Sequence, residues 1–175
     1  ETMVTTNRVI IAGEVRGDGN LEKINIEKIK DITRNVIKHI GYEQDTFHWK
    51  NVEIEVNLHA QSPDISMGVD AQNKNEEGAG DQGIMFGYAT NETSEYMPMP
   101  LQLSHKLLSN IRKNRLSGKL LGLGPDAKSQ ISLIYEENKP VNLYSVVLSI
   151  QHLASYTNNE IKSLVMPNIL ELVPK

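Results

Sequence analysis

Gly78-Ala79-Gly80-Asp81-Gln82-Gly83-Ile84-Met85-Phe86-Gly87-Tyr88-Ala89-Thr90-Asn91-Glu92 is the stretch around which the chain is organised. Four glycines in ten residues surround one carboxylate and one carboxamide. With no Cβ in the way, backbone N–H groups can approach a ligand closely. The side-chain charge inside the stretch is acidic, which suits a metal-bound phosphate, an ammonium or a sulfonium better than a bare phosphate. Gly78, Gly80 and Gly83 also spell G-x-G-x-x-G. A dinucleotide fingerprint needs an apolar strand before that pattern and a helix after it. Here Asn73-Lys74-Asn75-Glu76-Glu77 precedes it, and Ile84 to Tyr88 reads as a strand. On the residues alone, a ligand-binding loop and a turn closing a tight connection stay equally open.

Upstream, Met3 to Val15 is strand-like, with a hairpin turn at Thr6-Asn7-Arg8 and an apolar, β-branched run at Val9-Ile10-Ile11-Ala12. Arg16 to Asn20 is a loop by composition. A helix follows from Ile26 to Ile40, capped by Asn25 and stopped by Gly41. Its apolar face is Ile26, Ile29, Val36, Ile37 and Ile40, with Ile32 at the edge and Thr33 as a polar interruption. Val52, Ile54, Val56 and Leu58 alternate with polar residues, as in a half-buried strand. From Ala60 to Gly83 periodicity vanishes, and a long structureless loop beside a glycine-rich motif reads as a mobile lid.

Downstream, Met97-Pro98-Met99-Pro100 suits an extended entry into a helix that carries Leu101, Leu107, Leu108 and Ile111 and fades near Gly118. A glycine-broken loop, Leu120 to Gly124, delivers Pro125-Asp126-Ala127-Lys128-Ser129-Gln130 to the start of a strand bearing Ile131, Leu133 and Tyr135. Glu137-Asn138-Lys139 turns into a second strand, Val141 to Ile150. Thr157 to Glu160 is a capping box opening a last helix, which Pro167 should kink or end. Hairpin, loop and helix thus occur twice, at 3–40 and 129–170. The fold class is α+β, with antiparallel or mixed sheets each backed by helices. The expected organisation is one α+β domain with residues 1–70, a glycine-rich connection over 71–96 and a second α+β domain over 97–175.

The composition excludes several classes. With 175 residues, 39% of them hydrophobic, the chain can bury a proper core. A net charge of −4 argues against a nucleic-acid partner. No apolar run approaches the ~18 residues of a membrane span, and no signal-peptide pattern opens the chain. Cysteine is absent, which rules out disulfides and thiolate metal sites. The sequon at Asn91 therefore carries no expectation. Lys106, Arg112, Lys113, Arg115 and Lys119 read as a solvated helix face. His59, His105 and His152 share no ligand spacing and read as structural or surface residues. Glu14 lies near the end of an apolar strand. Asp126 and Lys128 can place a carboxylate and an ammonium at one strand end, where the Lys can meet a polyphosphate; an ordinary surface ion pair explains them as well.

Taken whole, residues 78–92 resemble the signature of the methionine adenosyltransferase (S-adenosylmethionine synthetase) family, GAGDQG-(I/L)-MFGYA-(T/C)-NE. The block from Pro125 to Gln130 resembles that family's P-D-(A/G)-K-(S/T)-Q, Gly13-Glu14-Val15 its GE-(I/V) segment, and Gln61-Ser62-Pro63-Asp64-Ile65 the start of its mobile loop. The resemblance runs in order from Glu1 to about Val173. It implies an enzyme joining ATP and L-methionine. The thioether sulfur attacks the ribose C5′, the whole triphosphate leaves, and the triphosphate is then cleaved to pyrophosphate and phosphate. A neutral sulfur needs no general base, so electrostatic stabilisation by Mg²⁺ and Lys and the positioning of two substrates should carry catalysis. The resemblance assigns ATP to Asp126, Ala127 and Lys128, methionine to Glu14, Gln61 and Asp81, catalysis to Lys128 and Asp81, and potassium to Glu1. It implies a cytoplasmic homodimer or homotetramer with its active site at the subunit interface.

The departures are informative too. The family's S-E-G-H-P-D-K and G-D-x-G-L-T-G-R-K blocks do not occur, and the Trp and Arg that usually precede P-D-A-K are replaced around Gly122-Leu123-Gly124. The chain also opens at Glu1-Thr2-Met3-Val4 without an initiator Met and reads as an internal fragment. These 175 residues alone are therefore expected to lack synthetase activity. A shortened non-catalytic regulatory or nucleotide-binding subunit is the alternative.

Overall fold

A computed structural model describes residues 1–15, 25–62 and 82–172. It forms two compact units, Glu1–Met85 and Phe86–Lys175.

In the first unit, β1 (Thr2–Thr5) and β2 (Arg8–Val15) make an antiparallel hairpin. Asn7 takes the left-handed conformation at its turn, φ 55°, which Asn tolerates better than most residues. After α1 (Ile26–Ile40), β5 (Glu53–Ala60) returns parallel to β2, giving the order β1-β2-β5. The sheet is therefore mixed. Its register pairs Val9 with Ile54 and Ile11 with Val56. Since side chains alternate along a strand, these four share one face and pack with Val52 and Ile37. The alternate face carries Arg8, Ile10, Glu53 and Glu55, where the Arg8 guanidinium donates to Glu55 at 2.8 Å.

The ends of α1 follow their caps. Asn25 Oδ1 accepts from the Lys28 N–H at 2.9 Å, and Gly41, at φ 104°, donates its N–H to the Ile37 carbonyl. The expected apolar face is only partly used. Ile37 is buried, but Ile26 and Val36 are about half exposed. The small sheet core meets only a strip of the helix. Arg34 anchors beside that strip, donating to the Trp49 and Lys50 carbonyls at 3.0 Å each. A two-residue hairpin, β3 (Glu43–Gln44) with β4 (Phe47–His48), closes this side through stacking of Tyr42 on Phe47. Such short elements have no periodicity to read.

The segment around the boundary of the two units differs from expectation. Ile84 to Tyr88 is no strand: it pairs with no described strand, and Ile84, Met85, Phe86 and Tyr88 are all at least 78% exposed. Gly83 and Gly87 interrupt the run and weaken any intrinsic strand preference. α2 (Met99–Leu116) then leads to the hairpin of β6 (Leu123–Glu136) and β7 (Lys139–His152), followed by α3 (Asn158–Leu170). Glu137 and Asn138, at φ 48° and 62°, form the turn, the positive-φ pair that two-residue hairpins prefer. Leu107, Ile111, Leu120, Leu123 and Val165 form the core, with Val146, Leu148 and Ile150 of β7 against it. Thr157 and Glu160 complete the capping box at the start of α3. Pro167 does not end α3, which continues to Leu170. The carbonyl that Pro167 leaves without its helical donor belongs to Ser163, an exposed residue, so water can satisfy it.

Candidate functional site

Three of the sequence-predicted residues fall at one end of the first unit's sheet. Glu1 continues the β1–β2 ladder, its carbonyl accepting from the Ala12 N–H at 3.0 Å. That bond ties down a residue at the start of the chain. Glu14 lies near the end of β2, opposite His59 on β5. Gln61 follows β5, its N–H donating to the Val15 carbonyl at 3.2 Å. Parity along β5 carries Glu53, Glu55, Asn57, His59 and onward to Gln61 on the face opposite Ile54 and Val56. Pairing puts Glu14 on that same face. The parallel strands β2 and β5 thus present Glu14, His59 and Gln61 at their carboxyl ends, away from the face packed with Ile37. Among the described residues, Gln61 Oε1 is buried without a hydrogen-bond partner. An unsatisfied buried acceptor of this kind needs an explanation, and a ligand's donor is one. Gly13, just before Glu14, sits at φ 146°. An added Cβ there would lie 3.5 Å from the Glu1 nitrogen.

Asp126, Ala127 and Lys128 were expected in a loop before a strand. They lie within β6, which begins at Leu123. The expectation of a loop has a physical basis: from Leu123 to Ala127 the chain advances four residues while its partner moves only two, from His152 to Ile150. Asp126 sits in that bulge, and the ladder resumes with Ala127 opposite Ile150 and Lys128 opposite Ser149. Bulges re-aim side chains and are frequent beside active sites. Asp126 and Lys128 are exposed and, with Ser149 and Gln151, line an open cleft of about 370 Å³. The Gln151 side chain accepts from the Asp126 N–H at 3.4 Å.

Just upstream, the missing Trp and Arg have a structural counterpart. Gly122 is left-handed, φ 76°, and any Cβ there would collide with the Tyr156 ring. A Cβ on Gly124 would overlap the Gln151 side chain. In this chain Tyr156 and Gln151 occupy the space beside the two glycines.

Asp81 lies outside the described residues, as do residues 63–81 of the expected lid from Ala60 to Gly83. The end of the glycine-rich signature is described. Glu92 accepts from the Met99 N–H at 2.8 Å and from the Tyr135 hydroxyl at 2.9 Å. The Met99 bond, and then the Tyr135 bond, hold the Glu92 carboxyl below the usual range. Burial, and then the bond to Glu92, push the Tyr135 phenol up. Sequence reasoning gave Glu92 no role of its own. The available clue was Pro98, which has no capping oxygen for α2 and leaves that work to another acceptor. His59, His105 and His152 are exposed. His59 reads from sequence as a structural or surface residue, and its place beside Glu14 needs the strand register to be seen. Among the described residues, no three His, Asp or Glu side chains gather as a metal site.

These features define an α+β protein of two sheet-and-helix units, with carboxylates, carboxamides and a lysine at strand ends and a glycine-rich segment leading into the second unit. Comparison then gives the family. The chain belongs to the S-adenosylmethionine synthetase family: the family's N-terminal domain matches residues 1–63 and its central domain residues 76–175. It is 49% identical over 174 residues to the S-adenosylmethionine synthase of Parvibaculum lavamentivorans, covering 99% of this chain and 44% of that protein. It is 51% identical over 174 residues to the S-adenosylmethionine synthase of Rhodospirillum centenum, with the same coverage. It is 51% identical over 179 residues to S-adenosylmethionine synthase 2 of Rhodopseudomonas palustris, covering all of this chain and 44% of that protein. The chain therefore spans a little under half the length of these relatives.

Proposed function

We propose that the protein carrying this chain makes S-adenosylmethionine from ATP and L-methionine, and that these residues contribute part of the active site without sufficing for turnover. The observation that carries this reading is the pair of polar constellations, one at the ends of β2 and β5 and one at the β6 bulge, in a chain of this family. One gathers Glu14 and Gln61; the other presents Asp126 and Lys128 over a cleft. In this reading Glu14 holds the α-ammonium of methionine and Gln61 orients the amino acid, with Asp81 beside it. Lys128 meets the phosphates as a point charge, and Asp126 accepts from the nucleoside. The sulfur needs no base to attack C5′. Holding it in line with the leaving triphosphate is the main task of the methionine residues, and Lys128 offsets charge as the C5′–O bond breaks.

Mg²⁺ would supply further charge neutralisation on the triphosphate. Among the described residues no cluster of His, Asp or Glu forms a cage for it. Glu1 is the proposed potassium contact. The proposed assembly is a cytoplasmic homodimer or homotetramer with its site at the subunit interface. The test is turnover by the full-length protein: ATP plus L-methionine should yield S-adenosylmethionine, and Lys128→Ala should slow it by at least about a hundredfold, the scale for losing one transition-state charge contact. Unchanged turnover in that variant would remove Lys128 from the chemistry.

A further inference from the structure

We propose that His59 is a second methionine-binding residue, taking the α-carboxylate of the amino acid whose α-ammonium Glu14 holds. The proposal rests on the reading of Glu14 given above and extends it to the other half of the zwitterion.

Glu14 and His59 are direct partners across the parallel pairing of β2 and β5. Parity sets both on the sheet face opposite the buried Ile54 and the partly buried Val56. The His59 Nδ1 lies 4.0 Å from Glu14 Oε1, and the two side chains are 63% and 48% exposed. A solvent-facing pair at that distance adds little to stability, so the fold has small need of it. Around the pair, Glu1 stands across from Ala12 and Asn57 is bonded to Glu55 at 2.8 Å. Gln61, two residues on, holds the buried oxygen that lacks a donor.

The chemistry follows from what an α-amino acid carries. Its ammonium and carboxylate sit on one carbon. A carboxylate that binds the first repels the second unless a donor stands beside it. Here a carboxylate and an imidazole are set side by side, alternating in sign with the two charges of the ligand. Nδ1 faces two oxygens, the Ala60 carbonyl at 3.3 Å and Glu14 Oε1. With Nδ1 turned toward these oxygens, Nε2 is the nitrogen left to donate to a ligand carboxylate. The arrangement selects ligands that bear both groups, and leaves recognition of the thioether to other residues.

The test measures binding to the full-length protein, with a non-hydrolysable ATP analogue present, for three probes. These are L-methionine, methioninol, which lacks the carboxylate, and the desamino acid methylthiobutanoate, which lacks the ammonium. His59→Ala should weaken methionine and methylthiobutanoate by about tenfold, the scale of one bond to a charged group, and leave methioninol unchanged. His59→Lys should recover part of the loss. Glu14→Gln should weaken methionine and methioninol and spare methylthiobutanoate. If His59→Ala weakens methioninol as much as methionine, or weakens neither, the proposal is overturned while Glu14 stands. If Glu14→Gln changes nothing, or the wild-type protein binds none of the probes, the reading of Glu14 falls and this proposal falls with it.

Discussion

At Glu92 one carboxylate joins three parts of the second unit: the tail of the glycine-rich signature that bears it, the first turn of α2 through the Met99 N–H, and β6 through the Tyr135 hydroxyl. The group has a pH signature. Its folded-state pKa is depressed, so the folded state binds its proton less readily than the unfolded state, where a Glu titrates near about 4.3. The stability it contributes is complete above that value and is lost as pH falls through the folded value. Thermal melts of wild type and Glu92→Gln should therefore differ most above the unfolded-state value, at about pH 6, and converge as the pH falls through the depressed folded-state value. A constant difference across that range would show that the carboxylate charge is not what the two donors favour. Gly122 is a second single-residue determinant. Its left-handed backbone and the Tyr156 ring leave no room for a Cβ, so Gly122→Ala should destabilise the second unit by about 1 kcal/mol or more from backbone strain alone, read from chemical denaturation.

Elements built from local signals were legible in the sequence, and those built from distant pairing were not. Asn25 and Gly41 mark both ends of α1 because each cap acts within one turn. The Thr157–Glu160 box marks α3 for the same reason. Thr157→Ala should cost about 1 kcal/mol, measured as a shift in denaturation midpoint. By contrast, nothing local could reveal that β5 lies parallel to β2, and only that register sets Glu14 against His59. The bulge after Leu123 was also hidden. Pro125 and the glycines read as a loop, while the pairing of Ala127 with Ile150 continues the strand around it. Ile84 to Tyr88 erred the other way, since apolar and aromatic residues read as a strand where the fold offers no partner to pair with.

At the scale of the whole molecule, two modest cores suffice for two units. Leu107 is fully buried at the centre of the second, and Leu107→Ala should cost about 2–5 kcal/mol. The motifs at Glu14, Gln61 and Asp126–Lys128 could be located by resemblance. Their grouping at strand ends is what the fold adds, by bringing residues 14 and 61 together along paired strands. Among the described residues no helix is long and apolar enough to cross a membrane. In the proposed reaction the whole triphosphate leaves C5′ and is then cut. The decisive measurement follows every phosphorus product as the full-length protein consumes ATP and L-methionine. The account predicts S-adenosylmethionine, pyrophosphate and orthophosphate in equal amounts, with no ADP or AMP. Methionine-dependent accumulation of ADP or AMP, or no S-adenosylmethionine at all, would contradict it.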